Sequence, residues 1–242
     1  MAEEKKTSEQ KKKEEKLKKF LLAGLIIIVV TVNLALLFHY LADKKQNKGR
    51  EKNFLIGIRH DLYDASTNLG NGIVNYQPTL DYYDSLWAQI NSGKINAAYI
   101  NNHSRYLINT IYLTYDNSRF ESFKSSGYFR LVENQKLLRD ITGLYTKDLP
   151  QQVDRDNTLY ENRRREFTTY IGSEVTTDSS GKMRVTDILS DKGFRWQVYW
   201  QRNMLQENKQ YKKDLLNTLN KVIAEIDKEL KDRFNYDALS KK

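Results

Sequence analysis

The chain has 242 residues with no cysteine, and its 40 basic against 31 acidic side chains give a formal charge of +9. Without cysteine, disulfides, zinc–thiolate centres and thiol nucleophiles are all excluded. The charge is not spread over a nucleic-acid face: residues 1–19 hold eight basic and five acidic side chains, residues 42–60 six and two, and residues 61–242 twenty-six and twenty-four.

Residues 1–19 are almost wholly Lys, Glu, Gln, Ser and Thr, too polar to bury a core, and read as a flexible or fraying cytoplasmic tail. Residues 20–41 follow with no charge, and fifteen of the 22 are Leu, Ile, Val or Phe. A helix of that length reaches about 33 Å, enough to cross a hydrocarbon core of roughly 30 Å. It is longer than the usual apolar region of a cleaved signal peptide and uncharged all round, as a soluble core helix rarely is, so a permanent single transmembrane helix is expected. Asn33 reads as a tolerated polar residue, while His39 and Tyr40 mark the interfacial end. Lysines resist translocation: eight stand in residues 5–19, against five Lys or Arg in residues 42–56. That bias places the N-terminus inside.

Residues 42–53 read as a polar helical stalk with Gly49 its weakest point, and residues 54–235 as an α-helical domain before a tail at 236–242. From Leu55 the positions Leu55, Ile58, Leu62, Ala65 and Leu69 form one helix face. Gly70, Gly72 and Pro78 should end it. Thr79 or Asp81 would then cap a second helix carrying Tyr83, Leu86, Trp87 and Ile90 as far as about Asn91. Ser92-Gly93 turns the chain, and Leu107, Ile108, Ile111, Tyr112 and Tyr115 predict a third helix. Ser125-Ser126-Gly127 is another turn, followed by a helix through Leu137, Leu138, Ile141, Leu144 and Tyr145. After Pro150 a further helix is expected over Leu159 to Ile171, with Asp178-Ser179-Ser180-Gly181 as a loop. The last helix is long: Leu216, Leu219, Val222/Ile223, Ile226 and Leu230 keep a near-heptad repeat, with Asp227/Lys231 and Glu229/Arg233 at i,i+4. It would pack along the bundle or pair with a copy of itself. The expected fold is all-α, a transmembrane helix followed by an antiparallel helical bundle.

No catalytic or cofactor constellation emerges. His39, His60 and His103 form no paired metal motif, and neither a phosphate-cradling loop nor G-x-S-x-G is present. Arg163-Arg164-Arg165 is bracketed by Glu161 and Glu166 and reads as solvated surface. Aromatic residues crowd 82–123, and Tyr83, Trp87, Tyr106, Tyr112, Trp196 and Trp200 are candidates for a ligand or partner pocket between helices, the alternative being a core whose tyrosine hydroxyls reach the surface.

The sequence resembles a family of uncharacterised bacterial single-pass membrane proteins, a domain of unknown function. The resemblance rests on Tyr76-Gln77-Pro78, Tyr83, Leu86, Ser92-Gly93-Lys94, Ile100-Asn101-Asn102 and Tyr112/Tyr115, and on the order of polar tail, membrane helix, helical pieces and long C-terminal helix. It implies an address in the bacterial inner membrane and no activity. The expected function is a membrane-anchored interaction or sensory module with the lipid bilayer and a protein partner or second copy as partners. No nucleic acid or cofactor is expected. A self-associating envelope scaffold using the C-terminal near-heptads is the alternative, and an enzyme using Asp81/Asp84 or Glu161/Glu166 a third.

Overall fold

A computed structural model describes residues 2–109, 112–179, 181 and 183–237, with the backbone alone for 2–23, 26, 163, 164 and 166. The chain divides into two compact units, Met1–Glu51 and Lys52–Lys242. The fold is all-α, and the one β-type pairing among the described residues is a bridge between Thr177 and Met183.

Helix α1 spans Ala2–Ser92. It includes residues 2–19, read from sequence as a flexible tail. Lys, Glu and Gln are strong helix formers, and here the backbone follows that propensity. Within the first unit the apolar stretch is long and apolar enough to cross a membrane, and none of it is buried. Its two polar side chains bond their own helix: Thr31 Oγ1 donates to the Ile27 carbonyl at 2.8 Å and Asn33 Nδ2 to the Val29 carbonyl at 2.7 Å.

In the second unit α1 does not break at Gly70, Gly72 or Pro78, and neither Thr79 nor Asp81 starts a new helix. Pro78 removes the amide that would bond the Val74 carbonyl, which costs about 3 kcal/mol in a helix interior. Val74 stands exposed, while Tyr76, Leu80, Tyr83 and Leu86 are buried around the proline. At about 1.5–3 kcal/mol for each buried leucine, packing outweighs the break.

The helix expected through Leu107 to Tyr115 does not form. A short α2 (Ala97–Asn102) and a 3-10 turn (Ser104–Leu107) lead into irregular chain, with Ile111 outside the described residues. Ile108 and Tyr112 are exposed whereas Leu107 and Leu113 are buried, so the apparent stripe has no single buried face. Helix α3 (Ser118–Ser125) follows. The turns at Gly93 and Gly127 are as expected, with φ of 68° and 70°.

A second long helical run begins at α4 (Gln135–Gly143), passes through a π segment (Leu144–Asp148) into α5 (Leu149–Glu161), then through another π segment (Asn162–Phe167) into α6 (Thr168–Glu174). The expected restart after Pro150 is therefore replaced by continuity. Immediately before the proline, the Leu149 amide reaches back five residues to the Leu144 carbonyl. The wider π turn relaxes the backbone where Pro150 has no amide to donate.

Helix α7 (Lys192–Phe234) begins at Asp191, whose side chain accepts the Phe194 amide at 2.8 Å. It runs antiparallel to both other long helices. Across α1 the partners are Arg59–Asp227, Ser66–Asn220, Asp84–Arg202 and the Ile90 carbonyl with Arg195; across the second run they are Lys136–Glu225 and Asp156–Lys212. Glu229/Arg233 closes at 2.7 Å as expected. The expected Asp227/Lys231 pair gives way to Arg59, which grips Asp227 with Nε and Nη2. The near-heptad residues Leu219, Val222, Ile223, Ile226 and Leu230 are buried in this chain's own core.

Candidate functional site

The bundle core consists of two apolar clusters. One gathers Leu55, Ile58, Leu62 and Leu69 with Leu137, Ile141, Leu149, Leu215, Leu219 and Ile226. The other gathers Tyr76, Leu80, Tyr83 and Leu86 with Leu159, Phe167, Phe194, Val198 and Leu205. Between Leu149 and Leu159 on α5, and between Leu205 and Leu215 on α7, the buried residues are polar: Gln152, Asp156, Asn208 and Lys212. A polar layer therefore divides the core.

Its centre is an ion pair of which each side chain is only 1% exposed. Lys212 Nζ donates to Asp156 Oδ1 at 2.7 Å and Oδ2 at 2.6 Å. Oδ1 also accepts Gln152 Nε2 at 3.0 Å and Asn208 Nδ2 at 2.9 Å, while Oδ2 accepts the Leu113 amide at 2.8 Å. Gln152 donates to Asn208 Oδ1 at 2.7 Å, and Asn208 Nδ2 reaches the Tyr76 hydroxyl at 3.5 Å. One carboxylate thus ties α5, α7 and the stretch of chain carrying Leu113 together. Burial pulls the Lys212 ammonium below the usual lysine range, and the Asp156 charge opposes the shift. With its ammonium donating to a carboxylate and its side chain shut away from solvent, Lys212 acts as a structural cation.

The same layer opens outward as a groove between α5 and α7. One cleft, of about 250 Å³, has Asp154, Leu159, Met204, Glu207 and Asn208 in its walls. A second, of about 180 Å³, has Gln152, Tyr211, Asp214 and Leu215. Gln151 and Arg155 line both, and the Arg155 guanidinium lies 3.5 Å from the centre of the Tyr211 ring. Asn208 and Gln152 each line one cleft and bond Asp156, so an occupant of the groove would touch the layer directly. Apolar floor, charged rim and a stacked Arg–Tyr pair suit recognition of a partner segment.

The aromatic candidates are distributed differently. Tyr83 is fully buried and donates its hydroxyl to the Leu107 carbonyl at 3.1 Å, an internal bond where a surface-reaching hydroxyl was one expectation. Tyr106 lies against Tyr82 with centroids 6.0 Å apart, half-buried Trp87 against Tyr199 at 5.3 Å, and Tyr112 against Tyr160 at 5.2 Å. Trp196 and Trp200 stack on each other at 6.2 Å, with Trp196 mostly exposed. Tyr83, Trp87 and Tyr106 belong to one apolar cluster, in which Tyr82 packs against both Tyr83 and Tyr106, while Tyr112 and the Trp196–Trp200 stack make contacts of their own. The carboxylate candidates are also dispersed: Asp84 pairs with Arg202, Asp81 accepts Gln77 and Glu161 pairs with Arg165, while the Glu166 side chain lies outside the described residues.

Sequence reasoning missed Gln152, Asp156, Asn208 and Lys212. The signal was present in α7, where Gln201, Leu205, Asn208, Lys212, Leu215 and Leu219 alternate spacings of four and three. Three polar residues on an otherwise apolar stripe mark a buried polar layer. No protein-family model, no curated protein and no solved structure matches this chain.

Proposed function

We propose that this chain is a single-pass, membrane-anchored interaction or sensory module that works by binding and not by catalysis. The observation that carries the reading is the uncovered apolar helix: Leu25 and every large apolar side chain from Ile27 to Leu41 face outward. In water such a surface would aggregate, and a bilayer covers it. The lysine bias sets the N-terminus in the cytoplasm and the bundle outside, in a bacterial inner membrane, as for the family the sequence resembles. The near-neutral bundle gives nucleic acid little to hold. Self-association through the C-terminal repeat is disfavoured because those residues are already buried within the chain.

The α5/α7 groove is the proposed contact surface for a protein partner, with Arg155 and Tyr211 as its anchors. The full chain carrying a photo-crosslinking residue at Gln151 or Glu207 should give one discrete adduct in native membranes. Arg155→Glu and Tyr211→Ala should abolish it. Absence of any adduct from either position, or an adduct indifferent to both substitutions, overturns the reading.

A further inference from the structure

The positive charge just beyond the apolar stretch is not needed for the orientation proposed above. The positive-inside preference asks for few Lys or Arg on the outer side. Residues 42–53 nevertheless hold Lys44, Lys45, Lys48, Arg50 and Lys52 against only Asp43 and Glu51. These five basic side chains oppose the bias set by the eight lysines of residues 5–19.

Their placement on the helix shows what they can do. Helix α1 runs unbroken from the apolar stretch through these residues, so each position is fixed by a turn of about 100° and a rise of about 1.5 Å. Lys44, Lys45 and Lys48 fall within about 100° of arc, on the side of the helix that carries Leu41. All three are exposed. The two acids are elsewhere: Asp43 stands on the opposite side with Oδ2 3.5 Å from His39 Nε2, and Glu51 is buried. Arg50 is also off this face, and its Nη1 donates to Asn47 Oδ1 at 3.5 Å. Lys52, next on the lysine line, belongs to the second unit, where its Nζ lies 5.0 Å from the centre of the Tyr236 ring. The first unit therefore carries a face of three lysines with no carboxylate of the same stretch upon it.

Height along the helix decides what meets this face. Lys44 and Lys45 stand about 4.5–6 Å beyond Leu41, and Lys48 about 10.5 Å. The headgroup layer of one leaflet is about 5–7 Å deep, so the first two lie within it, and the flexible stem of Lys48 reaches back toward it. We propose that Lys44, Lys45 and Lys48 bind the phosphates of anionic phospholipids in the leaflet at the C-terminal end of the apolar stretch, an inference that rests on the membrane anchor proposed above. A zwitterionic lipid cancels its phosphate with its own amine, whereas an anionic lipid keeps a net charge for the lysines to hold. Ammonium groups act as point charges, so this face selects lipids by charge and not by headgroup shape.

The chain has no cysteine, so Ala42→Cys in the full chain gives one labelling position beside the face. The bimane-labelled chain is reconstituted in phosphatidylcholine vesicles with a small fraction of either phosphatidylglycerol or phosphatidylcholine bearing a nitroxide high on one acyl chain. Nitroxide quenching needs near contact, so the lysines of residues 5–19, across about 30 Å of hydrocarbon, do not contribute. Phosphatidylglycerol should be enriched at the label over phosphatidylcholine by about fivefold, the scale of one lysine beside an anionic headgroup. The preference should fall toward equality at about 1 M sodium chloride, where the Debye length is about 3 Å. Lys44→Gln/Lys45→Gln/Lys48→Gln should abolish it, and arginine at the same three positions should keep it. Quenching by neither lipid overturns the anchor and the lipid site together. Equal quenching by both lipids leaves the anchor standing and overturns the lipid site alone, as does a preference that survives the three glutamines.

Discussion

Among single residues Lys212 carries the largest stake, because its charge is buried and compensated by one carboxylate. Lys212→Met keeps the volume of the stem but leaves Asp156 charged and buried. Breaking such a pair from one side costs about 3–5 kcal/mol. Replacing both partners often restores stability elsewhere, since the desolvation cost disappears with the charges. Here it should not do so fully. Asp156 also accepts the Leu113 amide, Gln152 and Asn208, and each donor stranded in the interior costs about 1–3 kcal/mol. Denaturant unfolding of the full chain, followed by tryptophan fluorescence, should therefore rank wild type above Asp156→Leu/Lys212→Met. A double variant equal to or more stable than wild type would show that the layer's hydrogen bonds add nothing beyond its ion pair.

At the scale of elements, the instructive failures of sequence reading are the two prolines and the third helix. Propensity marks Pro78 and Pro150 as stops, but each sits in a long helix whose flanking turns bury large side chains, and burial overrides a local cost of a few kcal/mol. Leu107 to Tyr115 has helical spacing, yet its described residues form no α-helix, and Leu113 gives its amide to Asp156, 43 residues away. Spacing cannot reveal a bond of that range. What spacing does reveal survives: the face from Leu55 to Leu69, the turns at Gly93 and Gly127, and the near-heptad stretch from Leu216 to Leu230 in α7. The π segment before Pro150 yields a prediction of its own. A π bulge behaves as one residue inserted into an α-helix, so the flanking faces remain aligned only if it stays or if one residue is removed with it. Pro150→Ala combined with deletion of exposed Thr146 should convert the segment to α-helix and keep Ile141 and Leu149 in the core. Deletion of exposed Asn157 from α5 should instead turn one flank by about 100°, exposing half of the buried stripe. Circular dichroism and thermal melts separate the two: near-native melting for the first and loss of cooperative unfolding for the second. Equal damage from both deletions would refute the register argument.

For the whole molecule, the sequence made the long apolar helix plain and the groove invisible. An apolar helix is composition along one segment, whereas the groove needs Arg155 and Tyr211, distant in sequence, to meet at 3.5 Å. Orientation is the whole-molecule property that decides which compartment meets the groove. In the proposed single-pass reading it depends on eight lysines in residues 5–19 outweighing five basic residues in 42–56. Because the difference is small, it is also reversible. Changing Lys5, Lys6, Lys11, Lys12 and Lys13 to Gln leaves three against five, and the positive-inside preference then favours the opposite side. A phosphatase reporter fused after Lys242, active only outside the cytoplasm, should be active on the wild-type chain and lose most of its activity on the five-lysine variant. A fluorescent reporter that folds in the cytoplasm should do the reverse. If the wild-type fusion is already phosphatase-silent and fluorescent, the bundle faces the cytoplasm, and the partner must be sought there. If the five substitutions leave an active fusion unchanged, the flanking lysines do not set the orientation, and the cause must lie in the apolar segment or in the bundle's own requirement to fold outside.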